Sequence, residues 1–153
     1  MNEYFFNWKV NKLREYKIFK FYYLFRLANM RSILLRGILS KNEVNKRGLL
    51  CDSFADETCQ EIRDDRDIYL SDGQFHNLHD IVPLYFAPKT PTLYARKDSN
   101  ENLAFAEVEI SIVSDIEVKY AFSDGNATNK STRFKYDLNK LNGYMRIINQ
   151  FYK

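Results

Sequence analysis

Cysteine is nearly absent from this 153-residue chain, which carries only Cys51 and Cys59. Two thiols cannot build a disulfide framework, and these lack the paired spacing of a zinc site, so both are expected as free thiols in a reducing cytoplasm. Histidine is equally scarce. His76 and His79 stand three apart with no third ligand at helical or hairpin spacing, which argues against a metal site. No apolar run approaches the roughly 18 residues of a membrane-spanning helix, and no signal-peptide pattern opens the chain. The three prolines, Pro83, Pro88 and Pro91, mark a single rigid, irregular segment. There is no internal repeat and no low-complexity tract. What is present, 45% hydrophobic residues with 16% aromatics, suffices for one packed domain and excludes a wholly disordered chain.

The modest net charge of +3 hides an uneven distribution. Residues 1–50 hold eleven Lys/Arg against three acids, whereas residues 51–73 hold Arg63 and Arg66 against eight acids. Such a split suits a polyanionic partner such as nucleic acid or a dinucleotide phosphate. It equally suits a solvated helical surface.

Along the chain, Phe6, Val10, Leu13 and Tyr16 recur at helix spacing, which predicts an amphipathic N-terminal helical extension over residues 1–17. Ile18–Phe25 is an unbroken aromatic-rich run with only Lys20 polar, the pattern of a buried central strand. Asn29 can cap a short helix through Ile33 and Leu34, which Gly37 can end in the left-handed conformation. Residues 40–80 read as a long polar excursion with one short helix around Glu57–Asp64. Ile81–Phe86 is a second apolar run, with Pro83 placing it at an edge or bulge. Leu103–Val113 and Ile116–Phe122 read as strands, Ser123–Asn126 as a turn, and Leu138–Tyr152 as a helix. The sum is an α+β domain. Tyr85, Phe86 and Tyr94 could stack on bases or pack the core beneath the proline segment.

Three blocks together resemble the DarT family of NAD-dependent DNA ADP-ribosyltransferase toxins. The first is Phe21-Tyr-Tyr-Leu-Phe-Arg-Leu-Ala-Asn29 with Ser32-Ile-Leu34 and Gly37-Ile-Leu-Ser-Lys-Asn42. The second runs from Leu78-His-Asp-Ile-Val-Pro83 through Leu84-Tyr-Phe-Ala-Pro-Lys-Thr-Pro91 to Ala95. The third is Phe122-Ser-Asp-Gly-Asn-Ala127 with Thr132-Arg-Phe134 and Asp137-Leu138. The likeness spans about residues 18–152.

This resemblance implies the ADP-ribosyltransferase fold, a pair of small sheets around a cleft for NAD over residues 18–153. It implies transfer of ADP-ribose from NAD to a base, typically thymine, in single-stranded DNA, and a macrodomain antitoxin that removes the mark. By motif position the arginine beside the base corresponds to Arg66, with Arg63 close enough in the motif to be confused with it. A surface arginine in an acidic helix is the plain alternative. The cofactor-contact positions correspond to Tyr23, Leu24, Phe25, Ser32 and Leu39, or these are simply core residues. Two departures stand out. Tyr23 replaces the family's histidine, and Phe25 the threonine two positions on. The family's catalytic glutamate lies on a strand after the helix that begins at Leu138, and this sequence stops at Lys153 before it. The expectation is therefore an ADP-ribosyltransferase domain lacking its final strands and feeble in transfer, or a binding module without catalysis. Glu107 and Glu109 are the candidates to replace the missing acid.

Overall fold

The computed structural model describes residues 3–53, 57–90, 93–94 and 101–141. Helix α1 (Glu3–Glu15) leads into strand β1 (Lys20–Arg26), helix α2 (Met30–Arg36), helix α3 (Lys41–Lys46) and helix α4 (Glu57–Asp64). A short hairpin follows, β2 (Asp67–Tyr69) with β3 (Phe75–Asn77), then β4 (Leu103–Glu109), β5 (Phe122–Ser123) and β6 (Phe134–Lys135). The described strands form three antiparallel ladders: β1 with β4, β2 with β3, and β5 with β6. Helices and antiparallel strands are segregated, so the domain is α+β.

α1 buries Val10 and Leu13 on one stripe, as the periodicity predicts; the side chain of Phe6 lies outside the described part. The helix stops where Lys17 takes φ 60°, a conformation more often left to glycine. This turn lets the Ile18 amide donate to the Leu13 carbonyl at 3.0 Å and delivers Ile18 to the same core. Lys9 Nζ donates to the Val113 carbonyl at 2.8 Å and lies over the Tyr120 ring, locking the helix down. The main core gathers Val10, Leu13, Ile18, Phe21, Ile110, Val113, Phe122, Leu138 and Leu141. Val10 and Leu13 of α1 thus belong to the main core, with Tyr16 packed against it.

β1 is central. Its seven residues pair with β4 from Lys20↔Glu109 to Arg26↔Leu103. On its other edge Tyr22 exchanges both backbone hydrogen bonds with Tyr85, at 2.9 and 2.8 Å. The Ile81–Phe86 run contributes only this bridge, because Pro83 has no N–H to extend a ladder. Phe86 packs between Phe21 and Phe122, the core fate of the two foreseen for it, whereas Tyr94 is exposed.

Several expectations need correction. Asn29 precedes α2 but makes no side-chain cap; its amide instead donates to the Asp52 carbonyl and its oxygen accepts from the Asp52 amide. Gly37 does end α2 at positive φ, 80°, but with ψ −179° rather than the left-handed helical value. The run Leu103–Val113 is strand only to Glu109, after which Ile110–Ser114 turns into a 3-10 helix that buries Ile110 and Val113, three apart. Ile116–Phe122 is mostly not strand: Ile116 is exposed, and only Phe122 enters β5. The reading of a helix from Leu138 meets a 3-10 turn at Leu138–Lys140 and otherwise lies outside the described residues.

Leu13 is fully buried. Leu13→Ala should cost about 2–5 kcal/mol through lost burial and the cavity left behind. Urea unfolding should show a lower midpoint at an unchanged slope.

Candidate functional site

Side chains on a strand alternate between faces, and directly paired residues share one. Phe21, Tyr23 and Phe25 therefore share a face of the β1–β4 ladder with Ala104, Ala106 and Val108. Tyr23 and Phe25 lie 6.1 Å apart with nearly parallel rings. Burial, with the Cys51 thiol as a lesser cause, pushes the Tyr23 phenol above its ordinary value. At neutral pH it is a neutral hydroxyl beside an aromatic wall, able to donate a hydrogen bond. Leu24 points to the opposite face and is buried. Ser32, on α2, and Leu39, after Gly37, are both half-buried. Of the five positions foreseen as cofactor contacts, Tyr23 and Phe25 are in direct ring contact.

Glu107 and Glu109 pair with Tyr22 and Lys20, so both lie on the face opposite Tyr23 and Phe25. Glu109 forms an ion pair with Lys20. Neither acid is placed to serve a ligand held against the Tyr23 wall.

The arginines of the α4 corner have different surroundings. Arg63 is half-buried and donates through Nη2 to the Leu78 carbonyl at 2.7 Å. Burial lowers its pKa, with the Tyr85 and Cys59 side chains acting in the opposite sense. Arg66 donates through Nη1 to the carbonyls of Ala127 and Asn129, both at 2.7 Å, and through Nη2 to that of Thr132 at 2.9 Å. Its guanidinium also lies 4.9 Å from the centre of the Phe134 ring. Its hydrogen bonds thus go to the loop between β5 and β6, not to Tyr23 or Phe25, and they give it a bracing task that the sequence did not suggest.

That loop is itself closely bonded. Thr132 Oγ1 donates to the Asn126 carbonyl at 2.7 Å. Gly125 sits where a Cβ would come within 3.0 Å of the same Thr132 oxygen, so a larger residue would push the loop apart. Asp124 accepts from the Arg133 amide and from its Nε.

The segment before Ile81 fastens the corner from the other side. The Leu78 amide donates to the Arg66 carbonyl at 2.9 Å, and Asn77 Nδ2 to the Asp64 carbonyl at 2.7 Å. His79 is buried, with Nδ1 2.6 Å from Asp64 Oδ1 and with Nε2 lacking a partner. His76 likewise contacts Asp72 at 2.8 Å. Each histidine thus has a carboxylate of its own, and among the described residues no cluster of three metal-ligating side chains occurs. This Asp64–His79 pair escaped the sequence reading because its partners lie fifteen positions apart with no spacing signature.

A model of the family described as ssDNA thymidine ADP-ribosyltransferase, DarT, matches residues 22–151. The chain belongs to the DarT family. A DNA ADP-ribosyl transferase–DNA ADP-ribosyl glycohydrolase fusion protein of Thermosipho africanus is 30% identical over 115 residues, covering 73% of this chain and 28% of that protein. Among solved structures, Thermosipho africanus DarTG in complex with ADP-ribose superposes with TM-score 0.65 at 28% identity, covering 79% of this chain and 31% of that one. Thermus sp. 2.9 DarT in complex with ADP-ribosylated ssDNA gives TM-score 0.70 at 24% identity, covering 83% and 62%. The chain therefore spans less than a third of both Thermosipho matches. The DarT fold expected from the three sequence blocks is the fold observed.

Two outcomes test the loop brace. Arg66→Ala removes three charge-assisted bonds and should destabilise by about 3 kcal/mol, with amide exchange accelerating at residues 127–133 before elsewhere. Asp124 gives a pH signature. Burial alone would raise its pKa, but the Arg133 amide and guanidinium outweigh that and hold it below the ordinary value. Its contribution is present above the unfolded carboxylate pKa of about 3.9 and is lost as pH falls through the lower folded value. Asp124→Asn should thus lower the melting temperature at pH 7, and the gap to the unsubstituted protein should close on acidification below about pH 4.

Proposed function

We propose that this domain handles NAD and single-stranded DNA as an ADP-ribosyltransferase directed at thymidine, in the cytoplasm and alongside a macrodomain partner that removes the mark. The observation that carries this reading is the DarT match over residues 22–151. Two of the similar proteins fit it, one through a bound ADP-ribose and the other through ADP-ribosylated ssDNA. The proposed partner rests on the relative that fuses a transferase to a glycohydrolase.

NAD would supply the anomeric carbon, with nicotinamide as leaving group. The stacked pair Tyr23 and Phe25 is suited to a planar ring, and the neutral Tyr23 hydroxyl offers a donor in place of an imidazole N–H. Ser32 and Leu39 complete the proposed contact set, and Leu24 would take part through its backbone. A guanidinium has five N–H donors. Arg66 has three committed to the loop, and Arg63 commits one to Leu78. We therefore favour Arg63 as the arginine that faces DNA or phosphate, with Arg66 acting on the site through the loop. Burial around Arg63 strengthens any charge-assisted bond it makes.

Transfer also needs an acid to stabilise the cationic ribose, and Glu107 and Glu109 lie on the wrong face for it. Binding without efficient chemistry is accordingly the second reading. Labelled NAD offered with thymidine-containing single strands decides. The expected result is labelling of the strand that depends on NAD. It should be lost in Arg63→Ala and reduced in Arg66→Ala. Absence of labelling above the Arg63→Ala background would leave the binding reading alone. Robust labelling abolished by Glu107→Gln or Glu109→Gln would overturn the placement of the acid.

A further inference from the structure

The β2–β3 hairpin breaks the usual rule for a half-buried ladder. Its inward positions are ordinary, with Ile68 and Leu70 in a small core with Leu78. Outward positions are usually polar, yet here they carry Tyr69 and Phe75, which face each other directly across the two strands. Their ring centroids lie 5.3 Å apart, edge to face. Tyr136, just past β6, packs against Tyr69 at 5.6 Å. All three are open to solvent: Phe75 is 71% exposed, Tyr136 41% and Tyr69 40%. Exposed aromatics in mutual contact lose little further conformational freedom when a flat ligand arrives.

The geometry points to this trio as a stacking platform for unpaired bases of single-stranded nucleic acid, separate from the Tyr23 wall. This rests on the reading of DNA as the substrate and extends it to nucleotides away from the reacting one. Every base has a π-face, so such a platform is tolerant of sequence. Its surroundings suit an anionic strand. Lys135 directly precedes Tyr136 on an exposed edge; Asp72 is paired with His76 and Asp137 with Lys140, and Asp67, on the face of Tyr69, accepts from Asn77. The platform is also held in shape. Gly73 at φ 80° forms the hairpin turn, and a Cβ there would come within 3.3 Å of the Tyr69 hydroxyl, so the ring lies close over the turn. On the β6 side, Phe134 lies beneath the Arg66 guanidinium, two residues before Tyr136. The brace on the loop is thereby a brace on the platform.

Anisotropy with a fluorescein-labelled oligothymidine and with its abasic counterpart, both without NAD, tests this. The unsubstituted protein should bind the base-bearing strand more tightly than the abasic one. Phe75→Ala and Tyr136→Ala should each weaken it by about tenfold, leaving abasic binding, the salt slope and the melting temperature nearly unchanged. Phe75→Trp should retain binding. Equal binding of both strands, insensitivity to both alanine variants, or no binding of either strand would overturn the platform. So would a concentration-dependent dimer that Phe75→Ala dissolves without affecting the oligonucleotide. Because NAD is absent, the result is independent of transfer. Loss of labelling with aromatic-dependent binding intact would count against the transferase reading alone.

Discussion

The organisation of this domain depends on β1 having a partner on each backbone edge. Seven residues of β4 take one edge, and Tyr85 takes the other through a reciprocal pair of hydrogen bonds. A strand paired along one edge and pinned at Tyr22 on the other cannot slip register cheaply, since a one-residue shift would exchange its faces. Tyr23 and Phe25 are thus held on one face, while Leu24, Glu107 and Glu109 are held on the other. The same constraint explains why a proline-broken segment contributes to the site at all. Its single bridge at Tyr85 anchors the chain from which His79 and Leu78 reach the α4 corner.

From that corner the structure is fastened outward in steps. Arg63 and Asp64 are tied to residues 77–79, and Arg66 ties the corner to the loop between β5 and β6. Backbone carbonyls in an irregular loop must find donors or water. One guanidinium satisfies three of them and stacks on Phe134, so a loop with little regular structure is given a single shape. The buried His79 pair does related work at the other end. Its cost lies in the unpartnered Nε2, a polar atom that burial leaves without a bond. Such residual costs tend to gather near functional sites, where geometry outranks stability.

The elements legible in the sequence were those whose apolar pattern is long enough to have a period. α1 and β1 qualify, and α4 falls at Glu57–Asp64 as read. The hairpin β2–β3 did not qualify, because three-residue strands with a single buried centre show no alternation. α3 does carry a local signal: Ser40 accepts from the Glu43 amide, the Ser-x-x-Glu arrangement of a helix start. Apolar content without alternation misled in the opposite direction. Ile116 in a loop and Ile110–Ser114 as a 3-10 turn both read as strand from composition alone. The site was legible only as far as the family resemblance carried it. No spacing rule distinguishes an arginine that braces carbonyls from one that meets a ligand.

That distinction has a physical basis that reaches beyond these two residues. An arginine whose donors are already directed at carbonyls is fixed in place and has little left to offer a phosphate. Its neighbour Arg63 is half-buried, donates to the Leu78 carbonyl among the described residues, and carries a charge that burial has partly desolvated. A partly desolvated charge costs stability, and a charge-assisted hydrogen bond offsets part of that cost. The eight acids of residues 51–73 make this asymmetry sharper. They place Arg63 and Arg66 in the most acidic stretch of the sequence, where a guanidinium interrupts a run of negative charge.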